Sequence, residues 1–320
     1  MIRWRTMILS IVALTVTGLG VLLLGACSGD DSSGATTPSS AANSNVSSAK
    51  IQVVAAENFW GSIASQIGGN KVSVTAIITS PDTDPHDYES TPSDGRRVAS
   101  AQYVIYNGLG YDPWAGQLLD ANPARDRTTL KVQDVLGLQD DDNPHRWYSP
   151  DDVLKVIDQI SADYKKIGAA DASYFDSQKT TFETVALKQY NDLVQAIRQK
   201  YTGAPVAATE SIVSPLADAL GLNMLTPYSF LQAISEGTDP TAQDKATFDS
   251  QIANKEIDVL LFNTQNARPD VQRLVDAATA KGIPIVEVTE TLIPEDATFQ
   301  DWQSKQLQDL QRALAQVNGR

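Results

Sequence analysis

Short β-branched runs alternate with longer amphipathic segments along most of this chain, and this alternation restricts its fold more than any other feature. Such runs lie at 51–56, 72–78, 103–106, 205–209, 259–262 and 284–288. Parallel strands need a long crossover, usually a helix, so strands that alternate with helices indicate parallel sheets. The sequence therefore predicts an α/β fold of two lobes, each with a mainly parallel sheet flanked by helices.

The segment between the two sets of runs, from Asp171 to Tyr201, contains no Pro or Gly. Its apolar residues recur at three-, four- and seven-residue spacing, which predicts a helix with one buried face. These residues are Phe175, Phe182, Ala186, Tyr190, Leu193 and Ile197. A helix of about 30 residues is roughly 45 Å long, the length of a whole small protein. We therefore predict an N-terminal lobe at 51–170, one long rigid linking helix at 171–202 and a C-terminal lobe at 203–320.

Residues 1–26 have the pattern of an export signal. Arg3 and Arg5 precede an uncharged apolar run that reaches Ala26, and these are the first two regions of a signal peptide. Leu24-Gly25-Ala26 precedes Cys27, the only cysteine, and resembles the lipobox of bacterial lipoproteins, which implies cleavage before Cys27 and lipidation of its thiol. An uncleaved anchor is the alternative, because about 20 apolar residues can span a bilayer. Both alternatives predict that the rest of the chain lies outside the cytoplasm.

Residues 27–50 are predicted to be the lipidated cysteine and a flexible tether. From Ser28 to Lys50 the sequence is almost wholly Ser, Ala, Thr, Gly, Asn and Asp, with no aromatic residue. Such a stretch buries too little apolar surface to offset the entropy cost of ordering it. The sequence thus predicts a folded domain that is held near the outer face of the bacterial plasma membrane.

The charge balance argues against nucleic acid as a partner. The chain has 25 Lys and Arg against 39 Asp and Glu, which gives a formal net charge of −14. Binding to phosphates requires a basic field, which this chain lacks.

The chain contains only two histidines, and both stand in the same local setting. His86 follows Asp84-Pro85 and His145 follows Asn143-Pro144, each in a loop just before a predicted helix. A single loop histidine is most simply a solvated residue. Because proline fixes its own φ and restricts the residue before it, each imidazole is presented from a stiff turn. The shared setting predicts a shared role for the two rings.

The histidine motifs at 84–89 and 143–147 resemble those of the metal-binding solute-binding lipoproteins of zinc, manganese and iron ABC importers, the ZnuA-like family. The segment 106–114 also resembles the stretch after the third strand in that family, and the similarity extends from Ile51 to the C-terminus. In the family, four side chains from both lobes hold one cation.

The resemblance implies four metal ligands in this chain, which are His86, His145, Glu210 and Glu290. Glu290 stands where the family more often has Asp, and Glu287 is the nearby alternative. Glu290 falls just past the carboxyl end of a predicted strand, where open α/β sheets place their ligand sites.

This ligand set restricts the metal. Two neutral imidazoles and two carboxylates carry a charge of −2, which balances a divalent cation. Soft monovalent metals prefer sulfur, and calcium and magnesium prefer oxygen ligands alone. Two carboxylates favour manganese or iron, whereas intrinsic affinity favours zinc over manganese, so these metals stay open. Since imidazole must be neutral to bind, we expect metal binding to weaken below about pH 6.

The resemblance implies a protein without enzymatic activity, a monomer that captures a divalent metal between its lobes and delivers it to an ABC permease. An exported metal-dependent hydrolase is the main alternative, with Glu210 or Glu290 as general base. The sequence has neither a His-Glu-x-x-His motif nor a nucleophile elbow. Two further alternatives on the same fold are binding of an organic ligand and a role as a metal-dependent surface adhesin.

Overall fold

The computed structural model describes residues 49–319. The predicted signal peptide, Cys27 and nearly all of the predicted tether lie outside these residues. Among residues 49–319, no helix combines the length and the apolar character that crossing a bilayer requires.

The first lobe is built around a four-stranded parallel sheet. Its elements are β1 (Ile51–Glu57), α1 (Asn58–Gly68), β2 (Val72–Ile78), α2 (Pro92–Ser100), β3 (Tyr103–Tyr106), α3 (Pro113–Ala121), β4 (Thr128–Lys131), α4 (Val132–Leu136) and α5 (Pro150–Ile167). The strand order is β2-β1-β3-β4, and every pairing is parallel. All four strands therefore end at one edge of the sheet, and the loops that follow them meet there.

The linking segment is helical along its length but is not one regular α-helix. It consists of α6 (Ala172–Thr181), a π-helical turn (Phe182–Ala186) and α7 (Lys188–Tyr201). The Leu187 N–H donates to the Phe182 carbonyl, five residues back, at 2.8 Å, which is the hydrogen bond of a π-helix. The predicted apolar face is correct at Phe175, Phe182, Tyr190 and Ile197, which are all buried.

The second lobe repeats the plan of the first. Its elements are β5 (Pro205–Ala208), α8 (Ser214–Leu220), β6 (Asn223–Met224), α9 (Tyr228–Ser235), α10 (Ala242–Ala253), β7 (Val259–Asn263), α11 (Pro269–Ala280), β8 (Ile285–Val288) and α12 (Phe299–Asn318). The strand order is β6-β5-β7-β8, again all parallel. The predicted fold class, two parallel sheets flanked by helices, is confirmed.

One hydrophobic core continues through both lobes. The ring of Tyr190 in α7 contacts that of Phe299 in α12, with centroids 6.1 Å apart. The Phe299 N–H also donates to Ser62 Oγ in α1 at 3.0 Å. Buried aromatic side chains of this kind each remove 150–250 Å² from water and dominate the energetics of a core. The base of the interface between the lobes is therefore packed like a domain interior.

Candidate metal centre

His86 lies in the loop between β2 and α2. Its backbone N–H donates to Asp84 Oδ1 at 2.9 Å. The indole N–H of Trp114 donates to the carbonyl of Pro85 at 3.1 Å. The imidazole meets the ring of Tyr111 edge-on, with centroids 4.8 Å apart. These contacts fix both the turn and the ring.

His145 lies in the turn that precedes α5 and is 1% exposed. Asn143 Oδ1 accepts hydrogen bonds from the His145 backbone N–H at 3.0 Å and from Nδ1 at 2.8 Å. Because an amide oxygen only accepts, Nδ1 carries the proton and Nε2 of the neutral ring carries a lone pair. That lone pair points across the cleft, where Nε2 lies 3.1 Å from Glu290 Oε1.

Glu290 follows β8 at the carboxyl edge of the second sheet. Its backbone N–H donates to Gln265 Oε1 at 2.5 Å. Glu287 differs, because alternation along β8 buries Val286 and Val288 and turns Glu287 to solvent. Glu287 lines a surface groove beside α12. The structure thus places Glu290 in the cleft and Glu287 outside it.

Glu210 follows β5 and is 4% exposed. Its Oε1 accepts a short hydrogen bond from Asn263 Nδ2, and its Oε2 accepts from Asn266 Nδ2 at 2.9 Å. Both amides come from the end of β7 and the turn after it. Glu210 therefore points into the cleft with both carboxyl oxygens already hydrogen-bonded.

The structure brings three of the four predicted residues into one group. One ligand atom each from His86, His145 and Glu290 lies within 4.8 Å of the other two. Glu210 is not part of this group but lines the same cavity of about 400 Å³, together with Asp84. Ligand atoms at 2.0–2.2 Å from a tetrahedral metal are about 3.4 Å apart, so a small inward movement would complete such a site.

The polar atoms of the cavity fit a cation. His86 Nε2 is buried, and within residues 49–319 it has no hydrogen-bond partner. His145 Nε2 and Glu290 Oε1 face each other as two acceptors unless a proton or a cation lies between them. Buried polar atoms normally have partners. A transition metal in the cavity would supply a partner for His86, His145 and Glu290 together.

Burial sets the protonation states of the site. It lowers the pKa of His145 to about 4, so this ring is neutral at pH 7. Burial also raises the pKa of Glu290 to about 7. The pKa of Glu210 rises to about 7 through burial first and the charge of Glu290 second. Near neutral pH the two carboxyls are therefore partly protonated, and a metal that binds them must displace those protons.

An aromatic wall supports the two imidazoles. The Tyr111 ring lies 5.9 Å from that of His145, and the Trp147 ring lies 5.2 Å from it, between centroids. Trp147 in turn stacks on Phe59 of α1 at 4.0 Å. These rings exclude water from the first-lobe side of the site.

Sequence reasoning missed the amide residues around the site. Asn263, Gln265 and Asn266 hold the two carboxylate segments, yet the sequence offers no local motif for them. Their position just after a buried strand, at the carboxyl edge of a parallel sheet, is the one signal that could have found them.

The structure has two lobes, each with a parallel sheet, and imidazole and carboxyl groups meet in the cleft between them. This fold and this site are typical of the class of two-lobed metal-binding proteins. The family model described as zinc-uptake complex component A, periplasmic (ZnuA), matches residues 53–313. The chain belongs to this family.

Individual relatives are distant. The chain is 25% identical to manganese-binding lipoprotein MntA of Halalkalibacterium halodurans over 167 residues. This match covers 51% of this chain and 54% of that relative. It is 24% identical over 296 residues to the metal ABC transporter substrate-binding lipoprotein FimA of Streptococcus parasanguinis, with 87% of each chain covered. The solved periplasmic zinc-binding protein TroA of Treponema pallidum has the same fold, with a TM-score of 0.69 and 18% identity over 83% of this chain and 99% of that one.

Proposed function

We propose that this protein captures one divalent transition metal in the cleft between its lobes and delivers it to an ABC permease. The convergence of His86, His145 and Glu290 ligand atoms within 4.8 Å of one another carries the proposal. Glu210, from the same cavity, is the proposed fourth ligand. Zinc, manganese and ferrous iron all suit two imidazoles and two carboxylates.

A carrier rather than an enzyme fits this ligand set. Four protein ligands close a tetrahedral coordination sphere, whereas a catalytic metal keeps a position for water or substrate. We therefore propose no bond chemistry at this site. A monomer at the outer face of the plasma membrane, anchored through a lipid on Cys27, completes the proposal.

The proposed lobes are residues 51–170 and 203–320, joined by the helical segment 171–202. Each lobe supplies two of the proposed ligands. Metal capture would thus bridge the lobes directly, and the permease would recognise the bridged form.

Metal content of the purified chain tests the proposal. The protein is stripped with a chelator, titrated with Zn²⁺ and separately with Mn²⁺, and analysed for bound metal. We expect about one ion per chain, and loss of that ion in the His86→Ala/His145→Ala double variant. Glu287→Gln is the matched control, since Glu287 faces solvent on β8. A wild-type protein that binds neither metal would refute the proposal.

A further inference from the structure

Two side-chain amides, Asn143 and Gln265, each connect one lobe to the other beside the proposed metal site. Asn143 belongs to the first lobe and Gln265 to the second. Both are partly buried and line the cavities that open on the site. Neither is a proposed metal ligand.

Asn143 uses its two ends differently. Its Oδ1 accepts from the backbone N–H and from Nδ1 of His145, in its own lobe, at 3.0 and 2.8 Å. Its Nδ2 donates to the carbonyl of Ser211 in the other lobe at 2.8 Å. Ser211 is the residue after Glu210. Asn143 therefore contacts one proposed ligand and the neighbour of another.

Gln265 also uses its two ends differently, but it belongs to the second lobe and contacts the first. Its Oε1 accepts from the backbone N–H groups of Glu290 and Thr291, in its own lobe, at 2.5 and 3.0 Å. Its Nε2 donates to Thr291 Oγ1 at 2.9 Å and, by a short hydrogen bond, to the carbonyl of Pro81. Pro81 lies in the first-lobe loop that carries His86.

The orientation of both amides is determined by their neighbours. A backbone N–H can only donate and a backbone carbonyl can only accept. In both residues the amide oxygen must therefore face backbone N–H groups of its own lobe, and the amide nitrogen must face a backbone carbonyl of the opposite lobe. Rotating either amide by 180° would set like groups against each other at every backbone contact.

We propose that Asn143 and Gln265 are positioning residues that couple the orientation of the metal ligands to closure of the two lobes. Each amide oxygen orients a ligand or its backbone, and each amide nitrogen holds the facing lobe at the cleft. A single amide group thus orients a ligand segment of its own lobe and at the same time contacts the facing lobe. The metal part of this inference rests on the proposed function, whereas the closure part does not.

These contacts can be removed without disrupting the base of the interface between the lobes. That base is held elsewhere, by the Phe299 N–H bond to Ser62 Oγ and by the Tyr148 hydroxyl, which donates to the Thr289 carbonyl at 2.7 Å. Amide variants at the cleft are therefore expected to fold.

Amide-to-acid changes separate the two proposed roles, which are orientation of the ligands by the amide oxygen and contact with the facing lobe by the amide nitrogen. Asn143→Asp and Gln265→Glu keep the accepting oxygen but replace the donor to the opposite lobe with a second acceptor. Asn143→Leu and Gln265→Met remove both functions. Gln300→Glu is the matched control, because Gln300 also bridges the lobes, to Gln66 at 2.8 Å, but contacts no ligand segment.

Closure is measured in the metal-free protein by hydrogen–deuterium exchange. We expect all four cleft variants to exchange faster than wild type in the loop 79–91 and in residues 140–146, while Gln300→Glu leaves both segments unchanged. Unchanged exchange in the four cleft variants would overturn the proposal.

Ligand orientation is measured by ¹⁵N-histidine NMR, which is simple because the chain has only two histidines. Wild type and Asn143→Asp are expected to show the Nδ1–H tautomer of His145, and Asn143→Leu a mixture of tautomers. Metal affinity should fall about 10- to 100-fold in the leucine and methionine variants, the range typical of residues that orient metal ligands, with partial rescue by the acids.

The two failures are distinguishable. If wild type binds neither Zn²⁺ nor Mn²⁺, the proposed function fails. Faster exchange and a lost tautomer in the variants would then still support the positioning role. Wild-type metal affinity in the leucine and methionine variants, together with the wild-type tautomer in Asn143→Leu, would overturn it even in a protein that binds metal.

Discussion

His145 Nε2 and Glu290 Oε1 lie 3.1 Å apart although the two residues belong to different lobes and are separated by 145 positions in the sequence. Each atom is an acceptor when His145 is neutral and Glu290 is ionised. The pair is stable with a proton between the two atoms, and a metal ion would replace that proton. Competition between protons and metal therefore determines how this site responds to pH.

Metal affinity should fall as the pH drops below about 7. The pKa values of Glu210 and Glu290 are both raised to about 7, so below that pH the metal must displace protons from this pair of carboxyls. His145, with a pKa lowered to about 4, is already neutral. We expect close to two protons released per metal near pH 6, measured by calorimetry in buffers of different ionisation enthalpy. Affinity that stays constant from pH 8 to 6 would contradict this prediction.

The metal-free protein should lose stability as the pH rises from 5 to 8. The pKa values of Glu210 and Glu290 are raised from 4.5 to about 7 in the folded protein. Their protonation therefore favours the fold below pH 4.5, and this contribution is lost as the pH passes about 7. The lowered pKa of His145 acts in the opposite direction, between about 6.5 and 4. The effect of the two carboxyls exceeds that of the one imidazole. The free energy of unfolding should therefore fall by on the order of 2–3 kcal/mol between pH 5 and pH 8.

Thermal unfolding of the chelated protein checks this expectation. The melting temperature should fall by several degrees between pH 5 and pH 8, and saturating metal should reverse the fall at pH 8. A melting temperature that rises over this range without metal would show that other groups control the stability.

Glu57→Gln should stabilise the protein at alkaline pH. Glu57 is fully buried at the end of β1, and no described residue donates a hydrogen bond to either of its carboxyl oxygens. Burial first, and the charge of Asp112 second, raise its pKa well above the usual range. A neutral amide of the same shape avoids the cost of ionising this group. We expect a higher melting temperature than wild type at pH 9 and an unchanged one at pH 4.5, where Glu57 is already protonated.

Glutamine substitutions should rank the candidate carboxylate ligands. Glu290→Gln removes a ligand from the group of three and should weaken metal binding by at least 100-fold. Glu210→Gln should also weaken binding, but by less, because Asn263 and Asn266 already occupy its oxygens. Glu287→Gln should have no effect. Competition with a chromogenic chelator measures all three, and a loss of affinity in Glu287→Gln alone would reverse the assignment.

The sequence predicted the fold class because strands and helices have local periodicities. It could not predict the π-helical turn at 182–186, because the four-residue spacings from Phe182 to Ala186 and from Ala186 to Tyr190 also fit a regular α-helix. The period-2 pattern of β8, with Val286 and Val288 buried, explains why Glu287 faces solvent. That alternation was present in the sequence.

The amides around the site were beyond sequence reasoning for a physical reason. Gln265 contacts Pro81 across 184 positions and Thr291 across 26. Contacts of this kind depend on how two lobes pack, and no local spacing encodes them. His86 and His145 were accessible because proline and an Asx residue mark both turns in the sequence.

The hydrophobic core that continues from α1 through α7 to α12 packs the two lobes against each other, so we expect them to unfold as one cooperative unit. A ligand that binds only the folded state stabilises the whole unit by RT ln(1 + [L]/Kd), whichever lobe it touches. Capture of a metal at the cleft would then protect distant segments that contribute to this core, such as α6 and α12, from proteases that attack the unfolded chain. The lifetime of this protein in the presence of proteases would thus depend on the supply of the metal that it carries.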